Sequence, residues 1–92
     1  MQTFRDDDDG YVTWLANHPD GFVVNAYRNP NSSYLRLHRT SCYTISKDSF
    51  RGASWTATGY MKACAQDLSE LEHWGLQSVG GELDPCKTCK PL

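Results

Sequence analysis

Apolar and polar positions change their period several times along the chain, and each change marks an element. In "YVTWLANHPDG", Tyr11, Trp14 and Leu15 stand at i, i+3 and i+4, one face of a short helix. Asp9 is placed to cap it, and Pro19 disfavours helical backbone at His18, with Gly21 supplying the turn that ends it. "FVVNAY", 22–27, then alternates, with Phe22, Val24 and Ala26 on one side and Val23, Asn25 and Tyr27 on the other. After the turn-rich "RNPNSS", "YLRLH" resumes the period of two, setting Leu35 and Leu37 opposite Tyr34, Arg36 and His38, so a hairpin is predicted. "YMKACA", 60–65, is a third strand, with Tyr60, Lys62 and Cys64 facing one way and Met61, Ala63 and Ala65 the other. "DLSELEHWG" reads as the second helix: Asp67 at the N-cap, Glu70 at the capping-box position, Leu68, Leu71 and Trp74 on one side, and Gly75 at the end.

The remaining stretches are less periodic. "RTSCYTI" predicts a helical turn with Thr40 or Ser41 as cap, and "SKDSFRGASWTATG" a polar loop anchored by Phe50 and Trp55. "LQSVGGELDPCKTCKPL" is short of regular structure, with a bend at its double glycine. Residues 1–10, "MQTFRDDDDG", read as a flexible acidic arm, because four consecutive Asp repel one another and offer nothing to bury. Deleting residues 1–9 should leave thermal stability nearly unchanged. The pattern thus predicts one α+β domain over 11–92, with a short antiparallel sheet, two main helices and a C-terminal CxxC knuckle.

Ninety-two residues bury a thin core, yet three Trp, five Tyr and three Phe are enough to build one. Net charge is −2, but Asp6 to Asp9 carry much of it; from Tyr11 onward eight Lys and Arg face seven Asp and Glu. The strongly basic footprint of a protein that binds through phosphates is therefore absent, although Arg28, Arg36, Arg39, Lys47, Arg51 and Lys62 form a local set opposed only by Asp48. No apolar leader precedes the cysteines and no stretch is long enough to span a bilayer, which predicts a cytoplasmic chain with no membrane association. In that compartment thiols stay reduced, favouring metal over disulfides.

The chemistry lies in "LHRTSC" and "DPCKTCKP". A CxxC turn points both sulfurs inward, and a redox dithiol of the same spacing usually opens a helix, whereas Pro91 follows Cys89 closely here. His38 and Cys42, spaced i,i+4 where a strand end runs into a turn, can bring nitrogen and sulfur to one point. Together with Cys86 and Cys89 they predict a tetrahedral Cys3His zinc site. Cys64 is the rival fourth ligand, its other reading being a small buried thiol. A zinc-bound His38 should donate from its second ring nitrogen to a carbonyl or carboxylate. Four protein ligands leave no open position for catalysis. His18 and His73 read as a turn and a helix-surface residue, and no Gly-rich phosphate loop or nucleophile motif is present.

In order, "YLRLHRTSC", "YMKACAQDLSELEHWG" and "LDPCKTCKP" resemble the Ada-type N-terminal zinc domains of methylphosphotriester DNA repair and related modules of bacterial DNA-processing proteins. The resemblance covers roughly residues 34–91 and maps the family's four zinc ligands to His38, Cys42, Cys86 and Cys89. The first of those positions is the family's methyl-accepting cysteine; His38 cannot fill that role, so the repair reaction is not implied. What the resemblance implies is a bacterial zinc-stapled module that contacts nucleic acid, with Arg36, Arg39, Lys47, Arg51 and Lys62 toward phosphates and Tyr34, Trp55 or Tyr60 available to stack on a base. The competing reading is a protein-interaction or purely structural zinc module, because the chain has more aromatic residues than a core of this size must hold.

Overall fold

The computed structural model describes all of residues 1–92 and is an α+β fold. Five strands, β1 (Gln2–Phe4), β2 (Phe22–Tyr27), β3 (Leu35–Arg39), β4 (Tyr60–Ala65) and β5 (Asp84–Pro85), form one sheet in the order β1-β4-β2-β3-β5. Two helices, α1 (Asp8–Asn17) and α2 (Leu68–Trp74), complete it. The β2–β3 hairpin forms with Val23 opposite His38 and Val24 opposite Leu37. The sheet is mixed and not purely antiparallel, because β5 joins β3 in parallel.

The period-two pattern puts apolar residues on both faces of the central strands, and the fold covers both. Val24, Ala26, Leu35, Leu37, Met61 and Ala63 face α2, which contributes Leu71. On the other face Val23 and Cys64 pack with Tyr11, Trp14 and Leu15 of α1 and with Ile45 and Trp55 of the segment leading to β4. Burying a Leu- or Phe-sized side chain contributes about 1.5–3 kcal/mol, so these two half-cores hold the three layers together. Within the long segment, Trp55 is the anchor expected of it, whereas Phe50 stays exposed. Tyr43–Ile45 forms the expected turn, a 3₁₀ turn, but Cys42 opens it without a side-chain cap from Thr40 or Ser41.

Residues 1–10 are not a loose arm. Gln2–Phe4 pairs along β4 as the sheet's outer strand, with Thr3 opposite Ala63, and Phe4 is buried. The Asp run separates into roles. Asp7 caps α1, accepting from the Gly10 amide at 2.9 Å, in place of the expected Asp9. Asp8 turns inward, where its carboxylate accepts from the Ser54 hydroxyl at 2.8 Å, the Trp55 amide at 3.1 Å, and the Thr56 amide and hydroxyl at 2.8 and 2.7 Å. Asp6 pairs with Arg28. Asp6, Asp7 and Asp8 each have their own partner, and that outweighs the repulsion within the run.

The second helix also departs from expectation at both ends. Asp67 stands at its N-cap without a side-chain hydrogen bond, and Glu70 instead accepts from the Met1 ammonium at 3.1 Å. Gly75 does not stop it; the helix continues as a π turn, Gly75–Val79, until Gly80 takes φ 89°. Glycine at 75 serves close packing, since a Cβ there would lie 3.1 Å from the Gly81 carbonyl oxygen and 3.2 Å from Leu83. No helix is long and apolar enough to cross a membrane.

Candidate metal centre

His38 is held in place because it sits inside β3, one residue from its end, while Cys42 follows one short turn later, at the start of the 3₁₀ turn. The C-terminal knuckle reaches them through β5: Asp84 and Pro85 pair with Arg36 and Leu37, and the Cys86 amide donates to the Leu37 carbonyl at 2.8 Å. The turn then closes with the Lys90 amide on the Cys86 carbonyl at 3.0 Å. Arg39 clamps it from outside, its guanidinium donating to the carbonyls of Cys89 at 3.4 Å and Lys90 at 3.2 Å.

The outcome is that one ligating atom each from His38, Cys42, Cys86 and Cys89 lies within 4.8 Å of the other three. All four cysteines of the chain are free thiols. His38, Cys42 and Cys86 are buried, and Cys89 is half-buried. Backbone amides point at the sulfurs: Arg39 donates to Cys89 Sγ at 3.3 Å and Thr88 to Cys86 Sγ at 3.4 Å. Cys42 Sγ lies 3.0 Å from Thr44 Oγ1. Donors of this kind favour thiolate over thiol.

Burial pushes the Cys86 thiol up, but hydrogen bonds from the Cys89 and Thr88 amides and from the Cys89 and Cys42 side chains together outweigh it and bring it below the usual thiol value. Cys89 goes the other way, to about 11, through burial and then through the neighbouring Cys42 and Cys86. His38 is lowered to about 4 by burial, helped by Arg36 and Lys62. It is therefore neutral at physiological pH, the form in which imidazole ligates metal. Its Nδ1 is buried without any hydrogen-bond partner in the protein. The expected carbonyl or carboxylate partner for its ring is missing. Ligation through Nδ1 would supply what that nitrogen lacks. The donor set, three sulfurs and one imidazole at convergent positions, fits a metal ion.

Cys64 does not join this group. It is wholly buried under α1 in the core, opposite Val23 and Gln2 in the sheet, and burial drives its thiol strongly upward despite the nearby Lys62. His18 stacks on Trp14 with ring centroids 4.2 Å apart and is a turn residue, as expected; His73 is exposed on α2.

The residues expected to meet nucleic acid are only partly available. Lys62 is a correction: it is 4% exposed, and its ammonium donates to Asn25 Oδ1 and the Trp55 carbonyl, each at 2.8 Å. Burial lowers its pKa to about 8, with Cys64 and Asp8 opposing the fall. Trp55 is likewise buried, in contact with Tyr11, and cannot stack on a base from the surface. Arg36 pairs with Asp84 at 3.1 Å and lies over the Tyr34 ring, while Arg39 is engaged with the knuckle. Lys47 is exposed, and Arg51 is held only loosely by Asp48 at 4.0 Å. Tyr60 is exposed and Tyr34 half-buried, and both pack with Tyr27, which the expected base-stacking set does not include. The alternation of β2 had the signal, since it puts Tyr27 on the Asn25 side. Compared with known proteins, the chain matches no family model, no curated protein and no solved structure.

Proposed function

We propose that this chain is a structural zinc-binding module without catalysis, acting as an accessory domain associated with nucleic acid. The observation that carries the metal assignment is the convergence of His38, Cys42, Cys86 and Cys89 within 4.8 Å. Cys3His is a closed structural zinc set, and zinc prefers it tetrahedral. A cytoplasmic setting, which keeps thiols reduced, fits that chemistry. The Ada-type resemblance supports the same role for the four residues. Methyl transfer is left out of the proposal, because His38 occupies the acceptor position and Cys64 is enclosed.

Association with nucleic acid rests on exposed Lys47 and Arg51 near the exposed aromatic side chains of Tyr60 and Phe50. The alternative reading, a protein-interaction module, draws on those same rings and on exposed Leu76. Titration of labelled single- and double-stranded DNA separates the two. Binding that weakens steeply with salt is the expected result. Absence of binding at low salt would remove the nucleic-acid reading and leave the zinc module.

A further inference from the structure

A cavity of about 360 Å³ opens between the segment preceding β4 and the sheet. Of its three aromatic lining residues, Trp55 is buried, while Phe50 and Tyr60 form exposed walls, 51% and 41% accessible. Each wall belongs to its own aromatic cluster: Phe50 lies 5.2 Å from Tyr43, and Tyr60 lies 5.8 Å from both Tyr27 and Tyr34. Lys62 and Arg51 line the cavity and no Asp or Glu does, whereas the larger cavity beneath α1 is lined by Asp9 and Glu70. The neighbouring acids are already engaged, Asp48 facing Arg51 and Asp8 accepting from Ser54, Trp55 and Thr56.

The Lys62 ammonium is held by Asn25 Oδ1 and the Trp55 carbonyl and lies 5.8 Å from the Tyr11 ring centroid, so Arg51 is the exposed cation of the lining. Trp55 is 4% exposed and its Nε1–H has no acceptor in the protein.

We infer that this cavity receives one unpaired nucleotide of a single-stranded nucleic acid, its base against Phe50 and Tyr60 and its phosphate toward Arg51. The inference rests on the nucleic-acid reading above and narrows it to single strands. A duplex keeps its bases stacked inside and presents phosphates and groove edges, leaving aromatic walls without a partner; a splayed base has two π-faces and free edges. The cavity's volume lies near the lower end of small-ligand pockets, about 300–1,000 Å³, a scale suited to one nucleotide.

Fluorescence anisotropy with a short labelled oligonucleotide, single-stranded and as a hairpin duplex, tests this on the zinc-loaded full chain. The single strand is expected to bind at least about tenfold more tightly than the duplex, a difference of about 1.4 kcal/mol. Phe50→Ala and Tyr60→Ala should each weaken single-strand binding by about 5–150-fold, the range for losing one base–aromatic stack. Arg51→Ala should lower the salt slope by about 1. Val12→Ala, at an exposed position on α1, should change nothing. These side chains are exposed, and unchanged zinc content and circular dichroism confirm that the variants fold. Single-strand binding indifferent to both aromatic substitutions, or a preference for duplex, would overturn the cavity while the nucleic-acid reading stands. No binding to either form would overturn both.

Discussion

At the residue scale, the fourth ligand decides between His38 and Cys64. His38 has a ring nitrogen in the cluster and a buried Nδ1 without a partner, whereas Cys64 is sealed among Tyr11, Val23 and their neighbours. His38→Ala should weaken zinc binding beyond the roughly 10–100-fold that follows loss of a ligand's outer partner. Cys64→Ala should keep full zinc stoichiometry and cost no more than a small core cavity, about 1–2 kcal/mol. Competition against a chromophoric chelator measures both, and the reverse order would make Cys64 the ligand. The two pairs, His38 with Cys42 and Cys86 with Cys89, are legible because spacing and local turns determine each, while β5 is what brings the pairs together. Lys62 was misread because its partners are remote: Asn25 lies across the sheet and the Trp55 carbonyl in an irregular segment. The alternation that put Lys62 on the side of Cys64 did have the warning, since that face is the one α1 covers.

At the scale of elements, the N-terminal segment shows what periodicity leaves out. Three residues are too few to display an alternation, so β1 left no mark in the sequence, and the Asp run resembled a solvated tail. The structure gives the segment two attachments, the β4 edge and the Asp8 carboxylate. Burial alone would raise the Asp8 pKa, but the hydrogen bonds from Thr56, Trp55 and Ser54 prevail and lower it from 3.8 to about 2. A depressed carboxylate stabilises the fold above its unfolded pKa and loses that contribution as pH falls through the folded one. Stability should therefore drop between about pH 4 and pH 2, and this drop should be smaller in Asp8→Ala. At neutral pH Asp8→Ala should cost about 2 kcal/mol, on the scale of a hydrogen bond to a charged group. Urea titration at several pH values measures both, and an Asp8→Ala variant as stable as the parent would contradict the reading. Deleting residues 1–9 should destabilise more than Asp8→Ala does, contrary to the expectation for a loose arm, because it also uncovers β4 and removes Phe4.

At the scale of the whole molecule, the sheet is closed at one edge by its weakest pairing. β5 contributes two residues, one of them proline, yet it brings Cys86 to Leu37 and the knuckle to His38. An ion shared by four side chains would lock that edge, since binding at a site assembled only in the folded chain adds to folding free energy. A sheet with a small half-core on each face then needs no disulfide, consistent with four free cysteines. The broad α+β plan was legible, because β2, β3, β4 and both helices have clear periods. The parallel closure by β5 and the π turn after α2 were not, since both depend on packing between distant segments.

The most direct test is zinc-edge X-ray absorption on protein purified without chelators. The account predicts one zinc per chain with three sulfurs at about 2.3 Å and one nitrogen at about 2.0–2.1 Å. Protein without zinc, or an ion surrounded by four sulfurs or mainly by oxygen, would contradict it.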